Sequence, residues 1–99
     1  MDEINNLIIL YDYYGNLLTS SQQNYFVEYY FNNLSLSEIS ENLNVSRNAA
    51  HKQLRVACDK LLEYEEKLKF LDKTNKLRAL VLKEADEKLR NSMLEILDN

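Results

Sequence analysis

Five polar side chains crowd one short stretch of this sequence: Arg47, Asn48, His51, Lys52 and Arg55. Their spacing puts all five on the outer face of a helix, while Ala50 and Leu54 face inward. A helix with such a face suits a nucleic-acid groove, because the major groove of B-DNA is about 12 Å wide and admits a helix. Arg47 and Lys52 can reach phosphates or guanine edges. Asn48 can pair with the N6 and N7 groups of adenine, and His51 can contact either base or backbone. Arg55, two turns on, is placed for the backbone. Ser35, Ser37 and Ser46 can donate to phosphate, as can a helix N-terminus.

Other chemistries find little support. Cys58 is the only cysteine and His51 the only histidine. No metal-ligand cluster and no Cys/His nucleophile arrangement can be built from them. The chain has one glycine, so no glycine-rich phosphate loop exists. The expectation is therefore a non-enzymatic protein without cofactor or metal. Cys58 lies at helical spacing from Leu54 and Leu61 and is expected to be packed.

The elements that position this face can be read from local signals. Ser35 followed by Glu38 is the spacing of a capping box. Leu36, Ile39 and Leu43 then share one face, so a helix is predicted over 36–43. Asn44 sits where the chain must turn and tolerates a left-handed φ. Val45 is placed to plug the gap between two helices, and Ser46 is an N-cap for the next helix, beginning at about 47. A short helix, a tight turn and a second helix with a basic and amide face predict a helix-turn-helix.

Upstream, Ile4, Leu7, Ile8, Tyr11 and Tyr14 define a helix over 3–17, with Ile9, Leu10 and Tyr13 widening the stripe and Gly15-Asn16 weakening its end. Thr19 and Gln22 form another capping box, and the helix they open runs to about Phe31. Phe26, Tyr29 and Tyr30 are its expected inner face. Aromatic clustering of this kind also suits base stacking, but a core between helices is the stronger expectation. Downstream, the fourth helix is expected to reach about 70 and a fifth to run from about 75 to 97, with a junction near 72–75 open to being a kink, a break or a straight continuation. Leu54, Leu61, Leu68, Leu82, Leu89 and Ile96 recur at multiples of seven, which suggests a coiled-coil seam. Arg78 and Ser92 interrupt the intermediate positions. The last helix is apolar on more than one side, so it is expected to join two copies into a homodimer or to fold back on the first helix. The pairs Glu63–Lys67 and Glu84–Lys88 have favourable i, i+4 order.

Ninety-nine residues, 45% hydrophobic and without proline, suit an all-α fold. The expected architecture is a five-helix domain: a helix-turn-helix domain over 1–71 and a long C-terminal helix over 72–99, the dimerisation element. No apolar run is long enough to cross a bilayer and no signal peptide opens the chain, so a cytoplasmic protein is expected. Net charge is −4. Between Asn44 and Lys60 four cations face one carboxylate, giving +3 there and −7 elsewhere. A basic patch on an acidic body favours local contact over long-range attraction to DNA. The same geometry also packs against proteins.

The motifs Leu17-Leu18-Thr19-x-x-Gln22, Tyr29-Tyr30, Leu34-Ser35-Leu36-x-Glu38-Ile39, Val45-Ser46-Arg47-x-Ala49 and Leu62-Glu63-Tyr64-Glu65-Glu66-Lys67-Leu68 together resemble the YlxM family. The resemblance covers about 7–71. From Thr19 to about Leu61 the chain also resembles region four of sigma factors. These resemblances imply a cytoplasmic, all-helical, dimeric protein with a sigma region four-like fold and a DNA-binding, regulatory role. They also imply an association with the signal recognition particle pathway, so the particle's RNA or its GTPase is the alternative partner. Arg47, Asn48, His51 and Lys52 fall on the recognition-helix positions. Ala50 stands where the family pattern has a larger aliphatic, and Asn44 where sigma-like motifs often carry glycine.

Overall fold

The computed structural model describes residues 2–98, and all regular structure among them is helical. The α-helices are α1 (Asp2–Tyr14), α2 (Ser20–Phe26), α3 (Leu36–Leu43), α4 (Arg47–Leu68), α5 (Phe70–Glu84) and α6 (Glu87–Asp98). A 3-10 turn, Gly15–Leu17, follows α1, and a π turn, Val27–Phe31, continues α2. The expected all-α class is what forms, with six α-helices among the described residues where five were expected. The chain divides into two compact units, Met1–Lys67 and Leu68–Asn99.

In the first unit α1 buries part of the widened stripe that its sequence predicts. Leu10 and Tyr14 are buried and Leu7 is half-buried, an i, i+3, i+7 set, while Ile4 is exposed. Tyr11 lies flat on Phe26, with centroids 4.6 Å apart and planes 3° apart. It meets Phe31 edge-on at 5.6 Å. That ring needs Gly15: a Cβ there would stand 3.0 Å from the Tyr11 ring carbons. The Tyr14 hydroxyl donates to the Glu65 carboxylate, tying α1 to α4.

Thr19 and Gln22 form the predicted capping box. Beyond Phe26 the helix widens, and the Asn32 N–H bonds back to Val27 O at 2.9 Å, five residues away. A π turn adds a residue to the turn and swings the following side chains round. Tyr25 and Phe26, ahead of the π turn, are buried, whereas Tyr29 within it, expected inside, is turned outward. Asn33 ends the segment with φ 57°.

The second unit corrects the expected long C-terminal helix. Of the alternatives open at 72–75, the helix continues through it without a break. Lys69, with φ 58°, separates α4 from α5 instead. What read as a stop is a start: Asp72 lies in the first turn of α5, where a carboxylate meets the positive end of the helix dipole. It also pairs with Lys76 at 2.9 Å. A second break falls at Ala85, which is extended. Asp86 then accepts the Leu89 N–H at 2.9 Å as an N-cap. The Arg90 guanidinium donates to Ala85 O at 3.1 Å. The result is a helical hairpin, with Val81 buried and an ion pair between Arg78 and Asp98. Two breaks preclude a single seam through Leu54 and Ile96. They also place Glu84 and Lys88 on different helices, whereas Glu63 and Lys67 pair at 2.9 Å on α4.

Candidate nucleic-acid interface

The helix-turn-helix is assembled by local chemistry at three points. At the start of α3, Ser35 Oγ accepts the Glu38 N–H at 3.1 Å and the Glu38 carboxylate accepts the Ser35 N–H at 2.9 Å. The Ser35 N–H and, after it, the Ser35 hydroxyl hold the Glu38 carboxyl below the usual carboxylate range, because each stabilises the charged form. At the turn, Asn44 takes φ 56°, ψ 48°. Its N–H bonds to Glu41 O at 3.3 Å, and the Val45 N–H bonds to Ser40 O at 2.9 Å. This pair of bonds is a Schellman motif, which satisfies the last carbonyls of α3 and reverses the chain. At the start of α4, Ser46 Oγ accepts the Ala49 N–H at 3.0 Å.

Packing then sets the angle between the helices. Ile39 of α3 and Ala50 of α4 are fully buried and cluster with Tyr25 of α2. Leu34, Leu36 and Leu43 close around them. Ala50 is thus a small side chain enclosed by larger ones from α2 and α3. Val45 does not plug the gap as expected: it is 36% exposed, because the left-handed turn at Asn44 carries its side chain toward solvent.

On α4 the buried residues are Ala50, Leu54, Ala57 and Leu61. Arg47, Asn48, His51, Lys52 and Arg55 are all exposed. At 3.6 residues per turn the five polar positions fall within an arc of about 140°, centred about 120° from the buried stripe. From Arg47 to Arg55 the axial rise is about 12 Å. The structure thus brings all five onto one continuous face. Among the described residues, no ion pair or side-chain hydrogen bond engages Arg47, Lys52 or Arg55. Lys60, the fourth cation of the segment, lies 3.7 Å from Glu63 and is partly neutralised.

Ser35, Ser37 and Ser46 are exposed. Ser35 and Ser46 act first as caps, and the Ser46 hydroxyl proton remains to be donated outward. Ser37 stands in the first turn of α3. Cys58 is half-buried, and burial pushes its thiol pKa up. That fits the packed role expected of it. No group of three or more residues that could hold a metal ion occurs among the described residues. Nor, among those residues, is any helix long and apolar enough to cross a membrane.

Spacing did not group Leu7 and Tyr29 with this face. They line a cleft of about 270 Å³ whose other wall carries His51 and Arg55. The adjacent Tyr29-Tyr30 pair was the available signal, and the π turn that exposes Tyr29 is what gave it meaning.

Comparison with known proteins agrees with this geometry. Residues 1–99 match the model of a family described as "Putative helix-turn-helix protein, YlxM / p13 like". The chain is similar to a UPF0122 protein of Malacoplasma penetrans, 40% identical over 93 residues that cover 94% of this chain and 87% of that protein. It is also similar to a UPF0122 protein of Desulforamulus reducens, 48% identical over 73 residues, 74% of this chain and 62% of that one. A UPF0122 protein of Ureaplasma urealyticum is 41% identical over 90 residues, 91% of each chain.

Proposed function

Because the chain belongs to the YlxM / p13-like helix-turn-helix family, we propose that it is a non-enzymatic, cytoplasmic DNA-binding regulator that reads the major groove with the first three turns of α4. One observation carries this reading: Arg47, Asn48, His51, Lys52 and Arg55 form one exposed polar face on the second helix of the motif. A helix with its side chains is about 10–12 Å across, which the major groove, about 12 Å wide, admits. Arg47 and Lys52 contact phosphates or guanine edges, Asn48 reads adenine, and His51 adds a base or backbone contact. Arg55, Ser35, Ser37 and Ser46 hold the phosphate backbone, together with the N-terminus of α3.

The protein acts as a homodimer joined through the α5–α6 hairpin. Leu77, Leu80, Leu82, Leu89 and Ile96 are all exposed there. Burying such surface is favourable at about 25 cal/mol per Å². Paired recognition helices then read half-sites about 34 Å, or a multiple, apart.

The test is selection of binding sites from random duplex DNA, followed by titration of the wild type and an Arg47→Ala, Lys52→Ala variant. An enriched sequence, bound far more weakly by the variant, is expected. Failure to enrich any sequence at low salt overturns the reading. A second reading rests on the −7 charge outside Asn44–Lys60: an accessory protein that binds signal recognition particle RNA or its GTPase. Tighter binding of that RNA or GTPase than of any duplex, in the same titrations, decides for it.

A further inference from the structure

The cleft beside the recognition face has its own chemistry. Leu7 of α1, Leu36 of α3 and Leu54 of α4 supply apolar walls. Tyr29 stands at its edge, 36% exposed and T-shaped to Tyr30 at 5.0 Å. Arg55 is the one permanently charged residue of the lining, and no carboxylate is among the lining residues. His51 adds a second nitrogen donor on the same helix face. The Cys58 thiol donates to the Tyr30 hydroxyl at 3.8 Å. Burial raises the pKa of both groups, so the floor is neutral at physiological pH.

Aromatic and apolar walls with a single guanidinium, which no ion pair engages among the described residues, complement a flat ring that bears one anionic group. Guanidinium recognises carboxylate bidentately, which fixes the ring's orientation as well as its charge. A volume of about 270 Å³ is just below the range of drug-sized sites, so it suits one fused ring system rather than a longer molecule. The neighbouring cleft shares Tyr29 and Tyr30 but is lined by Glu38, whose carboxylate repels an anion.

We propose that the cleft between α1, the π turn, α3 and α4 is an effector site for a small aromatic carboxylate, held by Arg55 and stacked against Tyr29. Arg55 and His51 also belong to the nucleic-acid face. A bound carboxylate withdraws them from phosphate, so effector and DNA compete. The competition rests on the DNA-binding reading above, while occupancy of the cleft does not.

The experiment is an NMR titration of the full chain with indole-3-acetate as probe. Indole-3-acetamide serves as the uncharged control, and Arg55→Gln and Tyr29→Ser as variants. Both substituted residues are exposed, and circular dichroism checks that each variant keeps its helices. Saturable amide shifts are expected around Leu7, Tyr29, Leu36 and Cys58, with a dissociation constant on the order of 1 mM for so small a ligand. The acetamide, and the acid with Arg55→Gln, should bind at least about tenfold more weakly; Tyr29→Ser should also weaken the acid. Shifts that do not saturate, that scatter away from the cleft, or that are the same with Arg55→Gln overturn the site. In a separate arm, saturating indole-3-acetate should weaken DNA binding by wild type. An unchanged DNA affinity with an occupied cleft overturns the competition. If no duplex binds even without the probe, the DNA reading fails while the cleft titration still stands or falls alone.

Discussion

Replacing Arg47 and Lys52 by alanine should flatten the salt dependence of DNA binding by an amount that can be counted on the structure. Each phosphate neutralised contributes about −0.9 to the slope of log affinity against log salt. The exposed face of α4 offers Arg47, Lys52 and Arg55, which no ion pair engages among the described residues, whereas Lys60 is held at 3.7 Å by Glu63. Three cations give a slope of about −2.7 for one recognition helix, or a loss of about 40-fold between 50 and 200 mM salt. The double variant keeps Arg55 alone, with a slope of about −0.9 and a loss of about 3.5-fold. For a dimer on two half-sites the slopes double to about −5.4 and −1.8, so the losses become about 1,800-fold and 12-fold. Fluorescence anisotropy of a labelled duplex at several salt concentrations measures these slopes. Circular dichroism checks that two exposed substitutions leave the helices intact. A wild-type slope shallower than about −1, or a slope indifferent to the double substitution, would refute phosphate contact by this face.

Four further outcomes follow from the same geometry. Asn44 holds φ 56°, so Asn44→Val should lose about 1–2 kcal/mol in urea unfolding, whereas Asn44→Gly should stay within about 1 kcal/mol of wild type. Ala50 is fully buried where α3 meets α4, so Ala50→Leu should cost about 1–3 kcal/mol by overpacking, read by the same unfolding curve. Ile96 is 76% exposed on the hairpin, so Ile96→Glu should shift light scattering from dimer to monomer without lowering the unfolding midpoint of dilute protein. Glu38 has a carboxyl pKa below its unfolded value, so its cap contribution is complete above the unfolded value and is lost as pH falls through the folded one. An NMR titration of the Glu38 side-chain carboxyl should show the low value, and Ser35→Ala, which removes the hydroxyl that helps to lower it, should raise it.

Much of the site was legible because it is built from interactions three to five residues apart. Both capping boxes, the Ser46 cap and the left-handed turn at Asn44 depend on side chains bonding to nearby backbone, and those pairings are written in the residue order. The polar face of α4 and its buried stripe follow from the helical repeat alone. Legibility failed where neighbours compete on equal terms. The Asp72-Lys73-Thr74-Asn75 stretch carries residues that serve equally at a helix stop or start, and the fold uses Asp72 as a start. Ala85-Asp86 interrupts no hydrophobic pattern, yet the Asp86 cap and the Arg90 clamp make a break there favourable.

By itself, then, the sequence determined the all-helical class, the helix-turn-helix and which side chains share its outer face, because each rests on local bonding and on a fixed helical period. Tertiary structure decided what lies beside that face. The π turn after Phe26 rotates Tyr29 outward, and the packing of α1 and α3 brings Leu7 and Leu36 to the cleft that Tyr29, His51 and Arg55 share. Those residues are separated by up to forty-eight positions in the chain. Only the competition among close-packed side chains for one core brings them together, and no local period encodes its outcome.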